Sequence, residues 1–291
     1  MAAGWCIERV KLLITLVLLA LTSAAPAPSA RVAFELPYDL VVARNGTIFV
    51  TDRSRVLSVQ PGSGRVRLHR RVPGASELAG LARLVDGTLV AADLPSGRIL
   101  RIPPRGSVAT VATVPMPVDL LADPAGNALW VASIADGVGL VRVDLGTGSV
   151  EPFARVERPH GLDRLPDGDL VVHDGNAVSR VDSATGAVSR LARVDAFKLA
   201  AGPDGIVYGA TGGPRGGRIV RISRGGGVRT VAGTGRLGAH RDGRALRAPM
   251  LPSALVLAPD GALLVAQIEP VPALRRVDVG RGTIATIALG R

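Results

Sequence analysis

Short apolar runs of about five residues recur along the chain after residue 30, separated by glycine-rich or Asp-Gly turns. Within the runs, apolar side chains mostly alternate with polar or small ones, which is typical of antiparallel strands with one buried face. The segments between the runs lack the three- to four-residue period of a helix. The pattern therefore predicts an all-β chain of short antiparallel strands.

A leucine followed six residues later by a turn glycine occurs six times. The pairs are Leu40 and Gly46, Leu81 and Gly87, Leu120 and Gly126, Leu162 and Gly168, Leu199 and Gly205, and Leu255 and Gly261. Five of these glycines follow Asp or Asn, as tight hairpins that need a positive φ prefer. Each turn leads into three further strands, so a four-stranded unit repeats about every 40 residues.

Four antiparallel strands repeated six times describe the blades of a β-propeller. We predict a six-bladed, all-β propeller of four-stranded antiparallel blades over residues 31–291. The blades are expected at about 36–76, 77–115, 116–157, 158–195, 196–236 and 249–291, with an insert at 237–248. Thr283–Ala288 should form the outer strand of blade six. Either Arg31–Phe34 completes that blade, or the ring closes mostly by packing between blades one and six.

Residues 1–30 have a different character. Arg9 and Lys11 precede an apolar run at 12–21 that only Thr15 interrupts, and small residues and prolines follow it. This order indicates a secretory signal peptide cleaved near residues 24–30, because the run is shorter than the about 20 apolar residues of a membrane span. We expect a secreted or extracytoplasmic monomer. If the leader stays uncleaved, it anchors the protein and provides the only membrane contact.

Composition narrows the possible partners. The only cysteine, Cys6, lies in the leader, so the mature chain would have no disulfide and no cysteine metal site. A net charge of +11 could indicate an anionic partner. However, all basic residues except Lys11 and Lys198 are arginines, spread along a chain rich in Ala, Gly and Val, as a GC-rich bacterial genome would encode. With only 3% aromatic residues for stacking, we expect no nucleic-acid partner.

Several motifs resemble the NHL-repeat family of propellers over essentially the whole mature chain. They are Pro159-His160-Gly161-Leu162, Pro166-Asp167-Gly168, Ala91-Ala92-Asp93, and Thr230–Gly235 followed by Asp242-Gly243 and Leu251-Pro252. The chain departs from the pattern at Lys198, where Gly or Asp is usual. The resemblance implies a central channel with a binding rim, but it implies no reaction.

The residue before the first strand and the residue ending the second strand of each blade lie at the same end of a hairpin. Six blades therefore place two rings of side chains on one face. The inner ring comprises Tyr38, Ala79, Val118, His160, Phe197 and Ser253. The outer ring comprises Asp52, Asp93, Ser133, Asp174, Thr211 and Gln267.

Binding residues concentrate at the ends of a rigid scaffold. The candidates for ligand binding are Tyr38, His160 and Phe197, together with Asp39 and Asp119 beside the inner ring. A structural alternative is that the two aromatic rings plug the channel and that the aspartates of the outer ring accept turn amides.

Two groups of propeller enzymes also resemble this chain. The surroundings of His160 are similar to those in streptogramin lyases, which implies His160 as general base, Asp174 in place of a strand-end glutamate, and an assisting divalent metal. Glu35-Leu36-Pro37 is similar to a motif of regucalcin-type lactonases, which implies a metal ligand at Glu35. Another metal ligand of those lactonases would fall at Phe197, whose side chain cannot bind a metal.

We therefore expect a non-catalytic exported propeller, without a cofactor, that binds a small molecule or an extracellular protein on the face carrying His160. The alternative is a metal-assisted enzyme of the lactone-hydrolase or streptogramin-lyase class, using Ca²⁺, Mg²⁺ or Mn²⁺, with His160 and Asp174 at its centre. A third possibility is a structural module with a plugged channel and a partner on the blade edges.

Overall fold

The structure, a computed structural model, describes residues 32–60 and 62–290. The predicted signal peptide at residues 1–30 lies outside the described residues. No helix in the described part of the chain is both long and apolar enough to cross a bilayer.

The described residues form six antiparallel sheets, each built from consecutive strands. Blade one contains β1 (Pro37–Val42), β2 (Ile48–Asp52), β3 (Arg55–Gln60) and β4 (Arg65–Arg71). Blade two contains β5 (Leu78–Arg83), β6 (Leu89–Asp93), β7 (Arg98–Ile102) and β8 (Ala109–Thr113). Blade three contains β9 (Pro117–Ala122), β10 (Ala128–Ser133), β11 (Gly139–Asp144) and β12 (Val150–Ala154).

Blade four contains β13 (Leu162–Arg164), β14 (Leu170–Asp174), β15 (Ala177–Val181) and β16 (Val188–Ala192). Blade five contains β17 (Lys198–Ala201), β18 (Val207–Thr211), β19 (Arg218–Ile222) and β20 (Val228–Ala232). Blade six contains β21 (Gly243–Arg244), β22 (Leu251–Leu257), β23 (Leu263–Glu269), β24 (Ala273–Asp278) and β25 (Thr283–Leu289). The predicted six-bladed, all-β propeller of antiparallel blades is confirmed.

The segment between β20 and β22 adds a fifth strand to blade six. Its two-residue strand β21 pairs antiparallel with the outer strand β25, and a 3₁₀ turn at Ala245–Arg247 follows. The buried Arg275 of β24 fixes this segment, donating to the carbonyl of Arg241 at 2.9 Å and to Asp242 at 3.1 Å. The segment therefore covers the edge of the last blade, where β25 would otherwise be unpaired.

The ring closes by packing between blades one and six. Residues 32–34 form no strand, so they do not complete blade six. Instead β1 lies against β22 and β23, and the hydroxyl of Ser253 donates to the carbonyl of Pro37 at 2.7 Å. The sequence left two ways of closing the ring open, and the structure has the one that rests on packing between blades one and six.

The core lies between adjacent blades, where each apolar cluster is shared by two neighbouring sheets. Gly80 and Gly161 lie where the backbones of adjacent blades come so close around the channel that a larger residue would not fit. A Cβ at Gly80 would lie 2.8 Å from the Cα of Asp119, and one at Gly161 would lie 2.5 Å from the carbonyl oxygen of Phe197. This close approach brings the inner strands together around the channel axis.

Candidate functional site

The residue just before the repeated leucine lies on the inner strand of each blade, or directly before it in blade four. In blade order these residues are Asp39, Gly80, Asp119, Gly161, Lys198 and Ala254. These six positions, one residue further along than the inner ring, thus combine two carboxylates and one ammonium group with three small residues. The lysine that departs from the NHL pattern, Lys198, is the largest of the six.

Lys198 is buried between the two carboxylates. Its Nζ lies 3.1 Å from Oδ1 of Asp119 and 3.3 Å from Oδ2 of Asp39, and the lysine is 4% exposed. The Tyr38 ring lies on another side, with its centroid 6.0 Å from Nζ, so the cation also faces an aromatic π-system. We call Lys198, Asp39 and Asp119 the axial cluster.

The axial cluster holds two acids for one base. Burial raises the pKa of Asp39 to about 7; Lys198 opposes this rise, and Asp119 adds to it. Burial alone would lower the pKa of Lys198, but Asp119 and Asp39 together hold it above the usual value, so the ammonium stays charged. The net charge of the cluster therefore falls by one as pH rises through the pKa of Asp39.

The same aspartates join neighbouring blades. Asp39 accepts the amide of Leu81 at 2.9 Å, and Asp119 accepts the amide of Leu162 at 3.0 Å, each on the inner strand of the next blade. Asp163 repeats this contact, accepting the amide of Ala201 at 2.7 Å. The structure thus places the predicted candidates Asp39 and Asp119 inside the channel, where both bind backbone amides as well as Lys198.

A cavity of about 460 Å³ opens above the axial cluster, at the end of the channel where the inner strands begin. We call it the mouth cavity. Three predicted candidates, Tyr38, His160 and Phe197, lie around it. The other lining residues are Leu36, Pro37, Lys198, Gly212, Gly213, Pro214, Leu251, Pro252, Ser253 and Ile268. The wall is mainly aliphatic and aromatic, with few polar groups.

A second cavity of about 310 Å³ follows further along the inner strands. Asp39, Asp119, Asp163 and Arg83 line it together with aliphatic side chains. Lys198 is the one residue common to the linings of both cavities. The axial cluster therefore divides the channel into two chambers, and Tyr38 and Phe197 line the upper chamber without filling it.

Apart from Lys198, the titratable groups that line the mouth cavity are uncharged near neutral pH. Burial lowers the pKa of His160, and the nearby His173 lowers it further. Burial also raises the pKa of Tyr38. The cavity therefore presents a neutral imidazole and a neutral phenol beside its apolar wall.

His160 contacts a second histidine, which the sequence did not identify as part of this site. The rings of His160 and His173 meet edge to face, with centroids 5.5 Å apart. His173 is 3% exposed, and its Nε2 lies 3.0 Å from a carboxylate oxygen of Asp195. No motif linked these residues, because His173 lies inside a strand and Asp195 in the connection between blades four and five.

The predicted pairing of His160 with Asp174 is not formed. Asp174 accepts the amide of Glu157 at 2.7 Å and the hydroxyl of Ser179 at 3.1 Å, so its carboxylate faces the loop leading into the blade. The carboxylate beside the two histidines is that of Asp195. Strand-end position predicted the location of Asp174 but not the direction of its side chain.

Two other aspartates of the outer ring have the same role as Asp174. Asp52 accepts the amide of Glu35, and Asp93 accepts the amide of Ser76; in all three blades donor and acceptor are 17 residues apart. These carboxylates fix the loop that leads into each first strand. The sequence offered this structural role as the alternative for the outer ring, whose aspartates would accept turn amides.

The proposed metal ligand Glu35 is paired with arginines. Its carboxylate lies 3.2 Å from Arg53 and 2.8 Å from Arg55, on a side chain that is half exposed. Among residues 32–60 and 62–290, no three His, Cys, Asp or Glu side chains are grouped so that they could hold a metal ion. The predicted metal role of Glu35 does not fit this environment, because two guanidinium groups already occupy the carboxylate.

No family model and no curated protein matches the chain. Solved structures that resemble it include virginiamycin B lyase from Staphylococcus aureus, at 16% identity and a TM-score of 0.61 over 86% of this chain and 83% of that one. A gluconolactonase from Xanthomonas campestris matches at 13% identity and a TM-score of 0.63 over 88% of both chains. A chain of a nidogen–laminin complex matches at 12% identity and a TM-score of 0.66, covering 84% of this chain and 98% of that one.

The chain is a six-bladed β-propeller. Its structural neighbours support that fold, and at identities below 20% they support nothing finer. The NHL label rests on the sequence motifs alone. Any function must therefore be argued from the channel and its side chains.

Proposed function

We propose that this propeller binds a small, largely apolar molecule in the mouth cavity. The observation that carries the proposal is the cavity of about 460 Å³ above the axial cluster, walled by Tyr38, Phe197 and aliphatic side chains. Ligand sites in proteins are typically concave, mostly apolar and about 300–1,000 Å³ in volume, with a few polar groups that orient the ligand. Here His160, Tyr38 and Lys198 would supply those polar groups.

The chemistry of the wall favours binding over catalysis. His160 lacks the partner Asp174 that the lyase resemblance implied, and Glu35 is engaged by Arg53 and Arg55. The two carboxylates that the enzymatic alternative requires, Asp174 and Glu35, are therefore engaged elsewhere. The binding proposal requires only the cavity and its lining. A protein partner on the same face would be detected as a complex that survives blocking of the cavity.

The proposal can be tested by filling the cavity from its wall. A Cβ at Gly212 would lie 3.0 Å from the edge of the Phe197 ring and 3.3 Å from a methyl of Leu251, so a larger side chain would grow into the cavity. A Cβ at the exposed Gly225 would meet nothing within 4 Å, which makes Gly225→Leu a matched control. Neither glycine has a positive φ.

We would titrate wild type, Gly212→Leu and Gly225→Leu with N-phenyl-1-naphthylamine, a neutral apolar probe that fluoresces when it leaves water. We expect one-to-one binding to wild type and to Gly225→Leu, and at least about tenfold weaker binding to Gly212→Leu, because lost apolar burial costs about 25 cal/mol per Å². Equal binding by all three proteins, or no binding to wild type, would contradict the proposal.

A further inference from the structure

The buried ammonium of Lys198 has fewer acceptors than it has protons. An ammonium group carries three N–H donors. Among residues 32–60 and 62–290, only two carboxylate oxygens lie within ion-pair distance, and Nζ makes no hydrogen bond of good geometry with either. Buried donors normally find a partner, because an unsatisfied one costs free energy. At least one N–H of Lys198 therefore lacks an acceptor in the part of the chain that the structure describes.

The neighbouring carboxylates are fixed in orientation by backbone amides. Each oxygen of Asp39 accepts a backbone amide, from Leu40 and Leu81. Each oxygen of Asp119 does the same, with the amides of Leu120 and Leu162. These four bonds hold the carboxylates in place between blades, so neither can turn to satisfy a further proton of Lys198.

The missing acceptor can enter through the mouth cavity. Lys198 belongs to the floor of that cavity, and the remaining floor and wall are largely apolar. The Tyr38 ring, 6.0 Å away, offers the ammonium only the face of a π-system. A ligand oxygen at the floor would meet a charged donor in a site of low dielectric, where such a bond is strong.

We infer that the ligand of the mouth cavity presents an uncharged oxygen acceptor, such as a ketone or amide carbonyl, to the ammonium of Lys198. This inference rests on the proposed function of the cavity. An anionic acceptor is disfavoured, because Lys198 is already matched by two carboxylates and a third negative charge would be buried without its own partner. A pure hydrocarbon would leave the N–H unsatisfied.

The experiment compares three compounds that differ in one group: tetralin, 1-tetralone and tetralin-1-carboxylate. Binding of each to the wild-type protein would be measured by isothermal titration calorimetry near pH 7.5. We expect 1-tetralone to bind about tenfold or more tightly than tetralin, since a hydrogen bond to a charged group favours binding by more than that factor. Tetralin-1-carboxylate should bind more weakly than 1-tetralone.

A variant without charge in the axial cluster provides the control. Lys198→Met combined with Asp39→Asn and Asp119→Asn removes all three charges and keeps one acceptor oxygen at each aspartate position for the backbone amides. In this variant the advantage of 1-tetralone over tetralin should disappear, so that the two compounds bind with equal affinity. The wild-type series decides the question even if this variant does not fold.

The outcomes separate the two proposals. If tetralin and 1-tetralone bind wild type equally, or the carboxylate binds best, the inference about the acceptor is wrong while the cavity remains a binding site. If N-phenyl-1-naphthylamine also fails to bind wild type, the proposed function is contradicted as well. A preference for the ketone that survives in the charge-free variant would likewise overturn the role of Lys198.

Discussion

At the scale of single residues, the aspartates of this propeller fall into two groups that the sequence does not distinguish. Asp39 and Asp119 face the channel and join neighbouring blades. Asp174 turns away from it and fixes the loop before its own blade. The sequence places all three near one face, but side-chain direction depends on which amides come within reach, and that follows only from the folded register.

This difference predicts opposite effects of two substitutions. Asp174→Ala should lower the free energy of unfolding by about 1–2 kcal/mol, because the amide of Glu157 loses its acceptor, yet leave probe binding unchanged. His160→Ala should change probe affinity with a smaller effect on stability. Denaturant unfolding and N-phenyl-1-naphthylamine titration of both variants would check this. Loss of binding in folded Asp174→Ala would mean that the carboxylate belongs to the site after all.

At the scale of elements, the six-fold spacing of leucine and turn glycine was enough to predict the blades. That pattern is a direct consequence of burying one face of each inner strand and turning tightly after it. The fifth strand of blade six could not be predicted, since Gly243–Arg244 is too short to show any period. The sequence flagged Lys198 as unusual, but its partners lie on two other blades, at distances that no local pattern encodes.

The close packing of the inner strands predicts that one methyl group added at Gly161 lowers the free energy of unfolding. Gly161→Ala places a Cβ 2.5 Å from the carbonyl oxygen of Phe197 and 2.8 Å from the Cα of Lys198, and neither backbone atom can move without separating blades four and five. We expect a loss of about 2–3 kcal/mol in the free energy of unfolding. Gly225→Ala, in open space, should change it by less than about 0.5 kcal/mol. Equal stability of the two variants would argue against this close approach.

At the scale of the whole molecule, the buried acids make stability depend on pH. Burial raises the pKa of Asp39 to about 7 and that of Asp163 to about 6. In the unfolded chain both acids ionise near pH 4, so the folded state binds more protons between these values and stability falls as pH rises through this range. His160 and His240, whose pKa values burial lowers, act in the opposite direction.

A difference measurement isolates the contribution of Asp39. From about pH 5 to about pH 7.5, wild type should lose roughly 2 kcal/mol of unfolding free energy relative to Asp39→Asn, which cannot ionise. Urea unfolding of both proteins at several pH values would show the trend. A difference that stays constant, or that grows in favour of wild type as pH rises, would mean that Asp39 is ionised throughout and that Lys198 fully compensates both carboxylates.

The most direct test of the central claim locates a ligand in the channel. We would soak crystals of the protein with 7-bromo-1-tetralone and collect data at the bromine absorption edge, so that the anomalous signal marks the ligand independently of any model. The account predicts one bromine peak in the mouth cavity, between Tyr38 and Phe197, with the carbonyl oxygen directed towards Lys198. A peak only in the second cavity or on the blade edges, or no ordered bromine at saturating concentration, would contradict it.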